Sequence, residues 1–113
     1  MKMCEEMVKL REELDKRGIE WEDKSFIVSE EAIEDAARKG IGRKVADCSI
    51  YRTHFQVGEY FYSVKYGYGT YGGVDPCFAV DLELLECMTE KTNGGEPVGW
   101  LTAEDVMAIV DGD

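Results

Sequence analysis

The chain has 113 residues, 44% of them apolar and 33% charged, and a net charge of −11. That length suits a single domain, residues 1–113, with a core large enough to fold without disulfide or metal support. No run of about 18 apolar residues offers a membrane span, and the N-terminus lacks the apolar region of a signal peptide, so a cytoplasmic protein is expected.

The charge is unevenly spread. Residues 74–113 hold ten acids and one base, whereas residues 48–73 hold one acid and two bases. Such a surface repels nucleic acid and anionic membrane and draws a basic partner at long range. Cys4, Cys48, Cys77 and Cys87 include no C-x-x-C pair, so reduced and mostly buried thiols are expected rather than a zinc site or a disulfide framework.

In chain order, Met3, Met7, Leu10 and Leu14 recur at helical spacing with acids first and bases last, which predicts a helix over residues 3–17 that Gly18 stops. Ile19–Glu22 alternates as a short strand suits, at a sheet edge. Ser29 caps a second helix, EEAIEDAARK, whose apolar face is only Ala32, Ile33, Ala36 and Ala37. So small a face makes it the least firmly docked element. The basic cluster Gly40–Lys44 reads as an exposed helix exit.

All six tyrosines and five of the twelve glycines fall between Tyr51 and Gly73. Residues 50–57 alternate, and Gly58-Glu59 fits a type II′ turn, whose first position needs the positive φ that glycine tolerates. That turn sets Val57 opposite Tyr60, Phe55 opposite Tyr62, Thr53 opposite Val64 and Tyr51 opposite Tyr66. Apolar rows meet, and a one-residue slip would separate them onto opposite faces. Cys77–Met88 is expected to be a further strand, with Leu82-x-x-Leu85 also compatible with a helical turn. Thr89–Pro97 reads as a polar connection and Thr102 as the N-cap of a last helix with Met107, Ile109 and Val110 inward. The fold class that follows is α+β: an antiparallel sheet of about four strands with the N- and C-terminal helices packed on one face.

Chemical motifs are sparse. Gly67-Tyr68-Gly69-Thr70-Tyr71-Gly72 has the spacing G-x-G-x-x-G, but Gly73-Val74-Asp75-Pro76 continues as loop where a dinucleotide site needs a helix N-terminus. His54 is the only histidine and reads as a polar-face surface residue. Asp81 and Glu83 share a strand face, without the further oxygens a Ca²⁺ site needs. No catalytic set, metal site or cofactor is expected, and the chain reads as a non-enzyme.

The arrangement of LREELDKRGIEW, YSVKYGYGTYGG, LELLECM and PVGWLTAEDVMAIV resembles short uncharacterised open reading frames of phages and prophages of gut bacteria, a resemblance that covers about two thirds of the chain. SEEAIEDAARKGIGRK looks like an insertion relative to them. The resemblance implies an accessory phage protein, many of which are small, acidic, non-enzymatic inhibitors of host defence, anti-CRISPR proteins among them. The reading that follows is a protein that inhibits a basic, nucleic-acid-handling host protein and contacts no nucleic acid itself. Asp81, Glu83, Glu86 and Glu90 would face the basic partner, with Tyr68 and Tyr71 as aromatic anchors. Two other readings are a small-molecule or nucleotide-binding module using Gly67–Gly73, and a structural protein that forms a homodimer through its tyrosine surface.

Overall fold

The computed structural model describes residues 1–112, Asn93 in its backbone only. Its centre is the hairpin of β2 (Ile50–Val57) and β3 (Tyr60–Gly67), paired in the register expected from the sequence. Gly58 turns at φ +62°, the positive value that a II′ turn requires at its first position. Around it form β1 (Trp21–Asp23), β4 (Val74–Asp75), β5 (Val80–Asp81), β6 (Leu85–Thr89) and β7 (Val98–Leu101). The main sheet is antiparallel with order β1-β2-β3-β6-β7, and β4 pairs with β5 as a separate two-stranded ribbon.

Among the described residues four α-helices complete the fold: α1 (Glu5–Lys16), α2 (Glu30–Arg38), α3 (Arg43–Ala46) and α4 (Ala103–Asp111). Helices α1 and α4 cover one sheet face. Their Met7, Leu10, Leu14, Val106 and Val110 enclose Phe55, Tyr62, Val64, Tyr66, Leu85 and Cys87 of the strands. Full burial of each aliphatic side chain contributes about 1.5–3 kcal/mol. Phe55 and Tyr62, directly opposite in register, stack at 4.9 Å between ring centroids. Thr53 is the polar exception on this face, and it is satisfied: its hydroxyl accepts from Arg11 Nε at 2.8 Å and donates to Met7 Sδ at 3.2 Å.

The two core helices are tied together at both ends. The Ala103 N–H donates to Glu6 Oε1 at 2.8 Å, and Arg17 grips both Asp111 oxygens at 2.7 and 3.1 Å. Thr102 and Asp105 form a reciprocal capping box that starts α4. Ser29 caps α2 through its hydroxyl, and Ile33 is the single buried residue of that helix, in keeping with its small apolar face.

Two expectations are corrected. The strand over Cys77–Met88 is interrupted: only Val80–Asp81 and Leu85–Thr89 pair, and Glu83 between them sits at φ +55°. The alternation of Phe78, Val80 and Leu82 therefore marks no core-facing row, and all three are exposed. A fifth strand, β7, lies where no element was expected. The exposed exit after α2 holds a short helix, α3, whose Arg43 pairs with Glu30. No helix among the described residues is long and apolar enough to cross a membrane.

Candidate partner-binding surface

Strands β3, β6 and β7 reach the same end of the sheet, opposite the hairpin turn, because Gly67 ends β3 while Leu85 starts β6 beside Leu101 of β7. Residues 67–84 are laid across that end. The loop is held by its own backbone. Gly67 N–H donates to Thr70 Oγ1, Tyr68 to Ser49 O, Gly69 to Val74 O, Thr70 to Gly67 O, Tyr71 to Glu86 Oε1 and Gly73 to Thr70 O. A phosphate-cradling loop must leave such N–H groups unspent. Here every amide of residues 67–73 except that of Gly72 donates in this way, and strand β4 follows rather than a helix. Gly67 and Gly73 serve close approach instead: a Cβ at Gly67 would meet Ser49 O at 2.3 Å, and one at Gly73 would meet Gly67 O at 2.7 Å.

On the outside of this loop Tyr71 and Trp100 stack, centroids 5.6 Å apart and planes within 11°. Both remain half exposed, at 50% and 59%. Trp100 lies at φ +58°, a conformation that costs a bulky side chain on the order of 1–3 kcal/mol. The Trp100 N–H donates to Tyr71 O at 3.1 Å, and Gly99 lets Tyr71 approach, since a Cβ there would meet Tyr71 Cβ at 2.2 Å. The register shift of β7 against β6 thus leaves Leu101 facing the core while the neighbouring indole lies on Tyr71 outside it. Beside the pair, Pro76, Phe78, Val80 and Leu82 complete an apolar hollow of about 420 Å³. Phe78 is 78% exposed.

The six residues singled out from the sequence are only partly gathered here. Tyr71 and Glu86 are in contact through the Tyr71 N–H, 3.1 Å from Glu86 Oε1. Tyr68 is half-buried and bridges to Val74. Asp81 is tied into the fold: Oδ2 accepts from the Tyr66 hydroxyl at 2.5 Å, and Oδ1 from the Glu83 N–H at 2.9 Å. Glu83 is exposed on the same loop. Glu90 stands apart, just past the far end of β6 and about 13 Å from Glu86 at ~3.3 Å per residue. Trp100, Phe78, Val80 and Leu82 were missed. The signal for the first was a tryptophan preceded by glycine; the other three carried a strand-like alternation that hid their exposure.

Other reactive groups are committed to structure. Burial pushes the Cys4 thiol up to about 11 and the Cys87 thiol to about 12, so neither is a nucleophile at neutral pH. All four cysteines are free, two of them buried, with Cys48 half-buried and Cys77 exposed. Ser63 Oγ lies 3.0 Å from His54 Nε2. Ser63 is nonetheless buried, and the carboxylate across from His54, Glu22, pairs with Lys24 at 2.9 Å. No group of three or more His, Cys, Asp or Glu among the described residues could hold a metal ion. Compared with known proteins, the chain matches no family model, no curated protein and no solved structure.

Proposed function

We propose that this chain is a non-enzymatic binding protein, of the kind phages carry, that inhibits a nucleic-acid-handling host protein by occupying a basic surface of it. The observation that carries the reading is the Tyr71–Trp100 pair, stacked and half exposed with Trp100 in a strained backbone conformation. Strain of that kind persists only where the surrounding structure enforces it, and it concentrates at binding sites. Aromatic anchors beside an apolar hollow supply affinity, and tryptophan and tyrosine are the residues that dominate interface energetics. The acids around them, Asp75, Glu83 and Glu86, orient a basic partner and speed its encounter.

The test is affinity capture from a bacterial lysate at low and at physiological salt, in parallel with a Tyr71→Ser/Trp100→Ser variant. A basic nucleic-acid-binding protein retained by the native chain, released by salt and lost in the variant is the expected result. Equal retention by both chains removes the aromatic pair from the interface. A chain that captures only itself moves the surface to self-association.

A further inference from the structure

The sheet face away from α1 and α4 carries a feature that the aromatic surface does not use. Lys24, Arg52 and Lys65 lie abreast: the Lys24 N–H donates to Arg52 O at 3.0 Å, and Arg52 stands directly opposite Lys65 in the β2–β3 register. Like charges placed opposite each other on a sheet are destabilising. In a chain with 24 acids and 13 bases, counter-ions are plentiful. Lys9, Arg11, Arg17, Lys24, Arg38, Lys39 and Arg43 have carboxylate partners, whereas Arg52 and Lys65, like Lys2, Lys16, Lys44 and Lys91, have none among the described residues. Glu86 stands opposite Lys65 in register, but its Oε1 takes the Tyr71 N–H instead. Arg52 Nε, shielded from solvent, has no hydrogen-bond partner among the described residues.

We propose that Arg52 and Lys65, flanked by Lys24, bind a single phosphate group on the open face of the sheet. A guanidinium fork and an adjacent ammonium are the donors such an oxyanion takes, the first in bidentate geometry and the second as a point charge. The Ser63 hydroxyl and His54 occupy the next row of the same face, with Phe61 edge-on to His54 at 5.1 Å. The site is one phosphate wide. Glu86 ends the basic row and Glu22 stands in the neighbouring one, opposite His54, so the next phosphates of a polyanion would fall near carboxylates, and the net charge of −11 repels such a chain at longer range.

His54 is the built-in reporter, being the only histidine. Burial first, then the charges of Lys24, Arg52 and Lys65, hold its pKa below the ordinary 6.5, against the opposing pull of Glu22. Phosphate seated on the row cancels the cationic repulsion, so the titration midpoint of His54 rises. The experiment follows the His54 ring proton by NMR against pH in inorganic phosphate and in chloride of equal ionic strength. The expected result is a higher midpoint in phosphate, with the difference abolished in Arg52→Gln and in Lys65→Gln. Adenosine monophosphate is the second probe: an added shift of the Phe61 ring protons assigns a nucleotide as the source, and a response equal to inorganic phosphate assigns the free ion. Identical midpoints in phosphate and chloride overturn the site. So does a stronger response to a single-stranded oligonucleotide than to inorganic phosphate. Lys65→Gln, on a half-exposed side chain, keeps the test available if Arg52→Gln fails to fold.

Discussion

The Tyr66 hydroxyl, buried beneath the two core helices, donates to Asp81 Oδ2 at 2.5 Å and so ties the 74–84 segment to the centre of the sheet. Burial and this carboxylate acceptor push the phenol well above its usual range, so it stays a donor throughout the accessible pH range. Tyr66→Phe removes one hydrogen bond to a charged acceptor, which is worth about 1.5–3 kcal/mol. Urea denaturation should show a loss of that size, and Asp81→Asn combined with Tyr66→Phe should cost less than the sum of the single changes. Strict additivity would show the contact to be energetically idle.

Gly67→Ala should be among the most damaging small changes. Its Cβ would stand 2.3 Å from Ser49 O and 2.8 Å from Ile50 Cα, both backbone atoms that cannot swing aside. Forcing β2 and β3 apart at their end should cost on the order of 1–3 kcal/mol, read as a lowered denaturation midpoint. Gly42→Ala, with open space around its Cβ, is the control and should stay within about 0.5 kcal/mol.

Acid should act on the clasp between α1 and α4. The hydrogen bonds from Arg17 lower the Asp111 carboxyl below its ordinary 3.8. A carboxyl depressed in the folded state stabilises the fold above its unfolded pKa, and that contribution is lost as pH falls through the folded value. Acid titration of stability should therefore be shallower below about pH 4 in Asp111→Asn than in the native chain. Parallel curves would show that the clasp has no linkage to folding.

Helix α2 should open independently of the sheet. Ile33 is its only buried residue, so Ile33→Ala removes the whole anchor, a change worth about 2–5 kcal/mol in a packed site. Hydrogen exchange should speed up across residues 30–38 while β2 and β3 keep their protection. Uniform acceleration over the entire chain would mean that α2 belongs to the same cooperative unit as the sheet.

Where signals are local, sequence and structure agree. The hairpin register followed from alternation and one turn glycine, and three helices followed from Gly18, Ser29 and Thr102 at their ends with apolar residues at helical spacing. These features depend on neighbours within a few positions, and the physics that favours them acts within one element. The 77–88 region went astray because alternation shows which side chains share a face but not what that face meets. Phe78, Val80 and Leu82 alternate toward solvent.

The charge of −11, the hairpin and the tyrosine–glycine concentration were determined by the sequence alone. The tertiary structure decided which groups meet: Trp100 on Tyr71, and Glu86 on the Tyr71 N–H rather than on Lys65. Each of these joins segments far apart in the chain, and their meeting depends on a strand order and a β7 register shift that leave no local periodicity. Propensity and spacing act along the chain, whereas a binding surface is assembled across it.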